Sequence, residues 1–576
     1  MDKTTLIGTL ERMALLNEIK GENPFKIKAF AKAAQVLDEH PIAPSELVAG
    51  GTLRDLPGIG SGLAALITEL VETGRSNEFE TLKRQVPVGL LELLKLPNLG
   101  PRKIKALYDG LGISSLSDLE RAVSEGRLAD LAGFGLKTQE KIRAAIATLN
   151  HRRGLHRYAE VQEAAEACCE ALRSLPGVQK VAIAGALRRK AEIVSEIALV
   201  VALESPEILD DLSKLPTFMG LQRLTPHHAM SRLPGEIEMH VHLATLATFE
   251  TRLLKLTGSA EHWQQLVHRA ADRKLRLDEQ GLWKEELILA NDEASIYRVL
   301  DLPVIPPELR EGERSLEDPV PVLLEAEDLQ GLFHVHTTYS DGKGTIEEMA
   351  RAARDLGYRY LGITDHSPAA FYAQGLTIER LAQQQAEIDR INAELEGIRL
   401  FKGTEADILA DGSVDYPPEV LARFDFVVAS VHSRFGMASD EMTERIVRAI
   451  RHPFVTMLGH PTGRLLLERE PYGLDLDRIF REAAAHRVAI EINANPHRLD
   501  LDWRYLPRAI ELGVTLVINP DAHAVSGLRD VRYGVGVARK GGVSALNVLN
   551  TLSLPQIEAY LQERRDRAHS KRESSH

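Results

Sequence analysis

The sequence predicts a multidomain chain: an all-helical N-terminal region, an α+β middle and a C-terminal parallel α/β barrel. Three observations carry this reading. At 576 residues the chain is too long for one hydrophobic core, since a domain averages roughly 150 residues. The first 150 residues place apolar side chains at helical spacing, broken only by short Gly/Pro signals. From residue 329 onward, short apolar runs alternate with helical stretches, the pattern of a parallel sheet covered by helices.

Composition excludes several classes. Hydrophobic residues are 44% and charged residues 27%, ordinary globular usage that rules out wholesale disorder. The two cysteines, Cys168 and Cys169, are adjacent, so they staple no distant segments and form no thiolate zinc cage. MDKTTLIGTL lacks the basic and apolar regions of a secretory leader, and no later run approaches the ~20 apolar residues of a membrane span. A soluble cytoplasmic protein without a membrane partner is expected, working as a monomer. Net charge is −13, yet residues 1–150 carry 19 Lys+Arg against 19 Asp+Glu, so the acidity lies in the later part. Polyanion binding then has to come from local patches or oriented backbone amides.

In the N-terminal region three breaks resemble one another: Leu56-Pro57-Gly58-Ile59-Gly60, Leu96-Pro97-Asn98-Leu99-Gly100 and Leu131-Ala132-Gly133-Phe134-Gly135, each followed by a helical pattern. A tight glycine turn opening a helix leaves unpaired N–H groups at the positive end of the helix dipole, where a phosphate oxygen fits. Gly58, Gly60, Gly100, Gly133 and Gly135 are therefore the candidate DNA-backbone contacts, reading no sequence. The breaks resemble helix-hairpin-helix motifs and divide the region into residues 1–80 and 81–150.

In the middle region Val181-Ala184, Ile197-Leu203 and Ile237-Leu243 read as strands among helices. The stretch before residue 329 is rich in Pro and acid, and residues 316–328 read as a linker. The barrel is expected over 329–565 with a disordered tail over 566–576. Its strand candidates are Leu332-Val335, Tyr360-Thr364, Leu400-Thr404, Phe424-Val431, Val455-Gly459, Val488-Asn493 and Val514-Asn519.

Side chains at the C-terminal ends of barrel strands converge on one mouth. Here those ends carry His334 and His336 with Asp341 in the following loop, then His366, Glu405, His432, His460, and Asp521 with His523. A single histidine at a strand end is most often structural, but six strand ends in a row are not explained that way. Six imidazoles and three carboxylates suit Mn²⁺, Zn²⁺ or Fe²⁺. Nine ligands exceed one ion, and a cluster of two or three metals lowers the pKa of a water and clamps a phosphodiester. The class implied is metal-assisted phosphoester hydrolysis.

The segments HVHTTYSDG (334–342), ITDHS (363–367), GTEADILADGSVDY (403–416), ASVHS (429–433), GHPTGR (459–464) and PDAH (520–523) resemble the PHP (polymerase and histidinol phosphatase) domain. That resemblance implies a distorted (β/α)7 barrel. It also implies one metal on His334, His336, Glu405 and Asp521, the candidate catalytic group. Glu405 would bridge to a second metal held by His432 and His460, and Asp341, His366 and His523 would hold a third.

The middle region (palm 151–250, thumb 251–315) and GENPFKIKAF (21–30) resemble a bacterial family X DNA polymerase fused to a PHP domain. That family carries a Gly-Ser-x-Arg-Arg phosphate motif and an Asp-x-Asp metal pair, with a third Asp on a neighbouring strand. This chain reads Gly185-Ala186-Leu187-Arg188-Arg189, Glu196-Ile197-Ala198 and Glu238. Arg189 remains able to meet a phosphate, but Ala198 supplies no ligand, and Glu196 and Glu238 are one methylene longer than the octahedral geometry of Mg²⁺ favours. Glu192 is the neighbouring acid that could stand in. At the lyase lysine position stands Leu66, without an amine. The reading is a Mn²⁺-dependent 3′-5′ exonuclease, with Zn²⁺ or Fe²⁺ as alternatives, acting on gapped, nicked or 3′-ended DNA during repair, on a degenerate polymerase scaffold. The rivals are a working gap-filling polymerase with a PHP exonuclease and a small-molecule phosphatase.

Overall fold

The computed structural model describes residues 3–39, 44–87, 89–94, 96, 99–131, 133–204, 218, 220–233, 235–312 and 314–573. Contacts divide the chain into two compact units, Met1–Arg153 and Gly154–His576.

The first unit is helical throughout its described residues, from Lys3–Lys20 to Leu136–Arg152. Its core is Leu- and Ile-rich and contains Leu66. The hairpins follow from their glycines. Gly58 and Gly133 hold φ of 85° and 89°, where a Cβ is disfavoured. Gly60, Gly100 and Gly135 are the N-caps of helices Ser61–Thr73, Pro101–Leu111 and Leu136–Arg152, each without a side-chain cap. Nothing lies within 4 Å of a Cβ built on these three, so the approach to the helix amides is open. Pro97, Asn98 and Ala132 lie outside the described residues.

The second unit begins with β1 (His156–Arg157) paired to β3 (Ile193–Val194). The palm is a five-stranded mixed sheet of β2 (Val178–Ile183), β4 (Glu196–Leu203), β7 (Ile237–Ala244), β6 (His228–Leu233) and β5 (Gln222–Thr225), in that spatial order. Strands β5 and β6 escape the sequence reading because β5 is exposed along its whole length and carries no apolar alternation. The thumb has helices Phe249–Thr257 and Ala260–Asp272 and the meander β8 (Arg276–Asp278), β9 (Gly281–Lys284) and β10 (Leu287–Ala290).

The barrel strands run in sequence order, all parallel: β11 (Gly331–Val335), β12 (Tyr360–Ile363), β13 (Arg399–Asp407), β14 (Phe426–Ser430), β15 (Met457–Leu458), β16 (Ala489–Asn493) and β17 (Leu516–Asn519). A parallel bridge between Val335 and Ala522 brings the last segment back to the first. Every residue of β11, β12, β14, β15, β16 and β17 is buried, which is why these strands read as continuous apolar runs. Phe333, Tyr360, Phe401 and Phe426 fill the barrel floor. Glycine is required opposite them: a Cβ at Gly362 or Gly403 would come within 2.4 or 2.3 Å of the Phe426 ring.

Two expectations change. Residues 316–328, expected as a linker, are mostly exposed but anchored, with Leu316, Leu323 and Leu324 buried and the Leu324 N–H donating to the Val543 carbonyl. The expected disordered tail from 566 is, as far as Glu573, the end of helix Leu554–Glu573. Buried Ala568 and the His569 ring, 5.5 Å from Phe454, dock it on the barrel. An Arg567–Glu563 pair one turn apart adds local support.

Candidate metal centre at the barrel mouth

Nine side chains from six strand ends meet at the barrel mouth, and the local backbone is bent to bring them there. His334, His460 and Asp521 hold φ of 56°, 22° and 51°, a region costing a non-glycine residue about 1–3 kcal/mol. A regular pleat would point His334 and His336 the same way, but β11 has a register shift between Leu332 and Val335. Both imidazoles nevertheless face Asp521, His334 Nε2 at 3.5 Å and His336 Nε2 at 3.4 Å from its Oδ1.

Glu405 is the hub. Its Oε1 lies 3.0 Å from His460 Nε2, 3.2 Å from His432 Nε2 and 3.3 Å from His334 Nε2. Its Oε2 lies 3.0 Å from His366 Nδ1 and 3.7 Å from His336 Nε2. On the open side Asp341 stands 3.6 Å from His366, 3.4 Å from His523 and 3.9 Å from His336. Four sets bring their donor atoms within 4.8 Å of one another: His336, Asp341, His366 and His523; His334, Glu405 and His460; His334, His336 and Asp521; and His366, Glu405 and His432. These sets interlock more than the Glu405-bridged grouping expected from the resemblance, because His334, His336 and His366, as well as Glu405, each belong to two of them.

The donor chemistry fits divalent ions. Donors held ~2.0–2.2 Å from one ion lie ~3.0–3.5 Å apart, the range of most of these separations. His334 Nε2, both His336 nitrogens, His366 Nδ1 and His460 Nδ1 are buried without a hydrogen-bond partner, and orphaned buried nitrogens beside carboxylates are costly unless a cation engages them.

The electrostatics report a pocket of negative potential. Burial opposes charging His432, yet Glu405 and Asp407 outweigh it and push the imidazole up to about 10. His523 rises to about 9 against burial through Asp341 and Asp521. For His334, burial is overcome by Glu491, Glu405 and Asp521, which raise it well above its ordinary value. His336 falls to about 3, because burial is reinforced by the His523 and His366 charges. Burial alone would raise Glu405 and Asp521, but the surrounding imidazoles hold both well below the carboxylate range.

Three carboxylates behind the cluster escaped the sequence reading. Glu491, fully buried, accepts from His334 Nδ1 at 2.6 Å, and Asp407 lies 2.7 Å from His432 Nδ1. Each fixes a tautomer that turns Nε2 inward. Asp365 accepts hydrogen bonds from the backbone N–H and hydroxyl of Thr337 (2.8 and 2.6 Å), from the Ser340 N–H (3.2 Å) and hydroxyl (2.5 Å) and from Gln384 (2.5 Å). It thereby pins the loop that carries Asp341. Arg498 Nε sits 3.4 Å from Asp521 Oδ2.

The palm residues are brought together differently. Parallel pairing of β4 and β7 sets Glu196 opposite Glu238 and Ala198 opposite His240. His240 Nε2 lies 3.6 Å from Glu196 and 3.9 Å from Glu238, and Glu238 accepts from Arg232 at 2.6 Å. Ala198 is buried, packed beneath Gly185 and among Ala184 and Phe249. Arg189 donates to Glu311 at 3.1 Å and to the Thr257 carbonyl, and Arg188 forms a fork to Glu293 at 2.6 and 3.1 Å. Glu192 is turned to the barrel, accepting from Trp503 Nε1 at 3.1 Å and from Arg504 at 2.7 Å.

Comparison with known proteins identifies the helical region, the thumb and the barrel. Residues 1–76 match the helix-hairpin-helix domain, 90–148 the SAM-like helix-hairpin-helix tandem, 252–311 the DNA polymerase beta thumb and 333–495 the PHP domain. Fold and domains together define a polymerase-type scaffold joined to a PHP domain. A DNA polymerase/3′-5′ exonuclease PolX of Bacillus subtilis (strain 168) is 39% identical over 571 residues, 98% of this chain and 100% of that protein. The chain belongs to this PolX family of family X polymerases with a C-terminal PHP domain. The barrel alone is also similar to smaller proteins: a probable phosphatase of Thermoanaerobacter sp. (strain X514) is 28% identical over 243 residues, 40% of this chain and 94% of that protein. No helix among the described residues is long and apolar enough to cross a membrane.

Proposed function

We propose that this chain is a divalent-metal-dependent phosphodiesterase that shortens 3′ DNA ends, and that its palm does not synthesise DNA. It acts as a monomer in the cytoplasm on gapped, nicked or 3′-ended DNA during repair, with Mn²⁺ as the working ion and Zn²⁺ or Fe²⁺ as alternatives. The observation that carries the reading is the set of orphaned, buried imidazole nitrogens around Glu405 and Asp521.

His334, His336, Glu405 and Asp521 would hold one ion, Glu405 with His432 and His460 a second, and Asp341, His366 and His523, joined by His336, a third. Bound there, the ions supply Lewis acidity for activating water and for neutralising charge on the phosphate and leaving oxygens. The rest belongs to the chain. Glu491 and Asp407 hold His334 and His432 in the tautomer that offers Nε2, and Arg498 contributes a positive charge to the phosphate beside Asp521. Gly60, Gly100, Gly133 and Gly135 leave helix amides open to the DNA backbone, and Gly58 forms the tight turn before the first of them.

Loss of synthesis is supported by Ala198, which offers no oxygen, by Glu196 and Glu238 flanking His240, and by the commitment of Arg189 to Glu311. The test is one gel with a 5′-labelled primer annealed to a template. With Mn²⁺ alone, the wild type shortens the strand and His336→Ala does not. With dNTPs added, neither the wild type nor Glu196→Ala extends it. Template-dependent extension by the wild type would restore the polymerase reading, and undiminished shortening by His336→Ala would remove the proposed centre.

A further inference from the structure

Beside the metal-ligand histidines the barrel presents two aromatic side chains to solvent. Phe371 is 84% exposed and Tyr372 60%, and no aromatic among the described residues is more exposed than Phe371. Their rings stand edge-on, 6.0 Å apart. Tyr372 lies 6.4 Å from the His366 ring and 6.5 Å from that of His432, so the pair forms a lip directly over the cluster.

The turn that carries them is held in place. Ala370 and Ala373 on either side are buried. The Leu376 N–H donates to the His366 carbonyl at 2.8 Å, the Gly375 N–H to Ala370 at 3.1 Å and the Ala369 N–H to Asp415 at 2.7 Å. A Cβ at Gly375 would come within 1.9 Å of the Ser367 oxygen, so the turn closes on itself at a position only glycine fits. An apolar pair on an anchored turn is not a collapsed loop that failed to find a core. It is preorganised for a flat apolar partner.

We infer that Phe371 and Tyr372 stack the nucleobase at a single-stranded 3′ end and so select a polynucleotide terminus over a small phosphate ester. The inference rests on the phosphodiesterase reading above. A scissile phosphate drawn to the His366 and His432 side of the cluster leaves its base within reach of the lip. Base–aromatic stacking is tolerant of sequence because every base has a π-face, which suits an enzyme that trims ends of any sequence. Phe371 is a specificity residue in this account, since nothing in its position touches the ligand atoms.

The test uses the full-length, Mn²⁺-loaded protein and two 5′-labelled single-stranded oligodeoxynucleotides, one with an ordinary 3′-terminal nucleotide and one whose terminal residue is abasic. Phe371→Ala is expected to raise KM for the ordinary end by about 5- to 100-fold with kcat little changed. It should leave cleavage of the abasic end within about two-fold of wild type, and Phe371→Trp should restore the ordinary end. Equal cleavage of the ordinary end by Phe371→Ala and wild type would overturn the inference. So would an equal loss on both ends, which would make Phe371 a support of the turn and not a stacking surface. A wild type that cleaves neither end would overturn the phosphodiesterase reading, and this inference with it.

Discussion

Replacing Glu491 by glutamine tests how the barrel orients its imidazoles. The carboxylate Oε1 faces His334 Nδ1 at 2.6 Å and Asn519 Nδ2 at 2.8 Å, while Oε2 faces the His460 backbone N–H at 2.6 Å and Asn493 Nδ2 at 3.1 Å. Glutamine keeps the shape but turns one end into a donor. That end cannot face the fixed His460 N–H, so it falls on the Oε1 side, where Asn519 can flip because its own Oδ1 is unpartnered. His334 Nδ1 must then accept, and the ring proton moves to Nε2, the atom facing Glu405 and Asp521. Losing a carboxylate behind a metal-ligating histidine costs about 10–100-fold in metal affinity, or about 1.4–2.7 kcal/mol. The assay is a Mn²⁺ titration followed by melting temperature and by 3′-end shortening, because an ion bound only by the folded state raises Tm with the logarithm of its concentration relative to Kd. Glu491→Gln should require about 10–100 times more Mn²⁺ for the same shift and rate. An unchanged Mn²⁺ dependence would refute the tautomer argument.

Asp365→Ala should destabilise the protein by at least about 3 kcal/mol in urea unfolding, because it strips the acceptor from two buried backbone N–H groups and three side chains; stability equal to wild type would contradict its role as a pin. Ala198→Asp should lower Tm without restoring primer extension, since it places an unpaired carboxylate in the cluster of Ala184, Val200 and Phe249; restored synthesis would show the palm to be one residue from activity. Glu293, against the cost of burial, is held down to about 2 by its forks to Arg188 and Arg310. Its folded value lies below the unfolded one, so it contributes stability above about pH 4.5 that disappears as pH falls toward 2. Wild type should therefore exceed Glu293→Gln by about 3 kcal/mol at pH 6, a gap that narrows steadily on acidification; a constant gap would contradict the assignment.

The barrel was legible in the sequence because its strands are buried on both faces and stand out as uninterrupted apolar runs, each within a few residues of its observed position. The mouth was legible because strand ends in a parallel barrel converge whatever lies between them. The palm was half legible: β4 and β7 are apolar, whereas β5 consists of Gln222, Arg223, Leu224 and Thr225, all exposed. The supporting acids were hidden for a different reason. Glu491 sits in an apolar run on β16 and meets His334 from β11, a pairing set by barrel closure and not by sequence distance. Asp407 was closer to view, two residues beyond Glu405 on the same strand, where the period of two hints at a shared side. The commitments of Arg189 to Glu311 and of Glu192 to Trp503 depend on how palm, thumb and barrel pack, which no local pattern encodes.

Everything proposed above depends on residues from six strand ends jointly binding catalytic cations. Anomalous scattering at the manganese edge, from crystals grown with Mn²⁺, addresses it directly. The account predicts two or three peaks within coordinating distance of His334, His336, Asp341, His366, Glu405, His432, His460, Asp521 and His523, with fewer peaks for His336→Ala. A barrel mouth without anomalous density at saturating Mn²⁺, or peaks confined to other parts of the molecule, would contradict it.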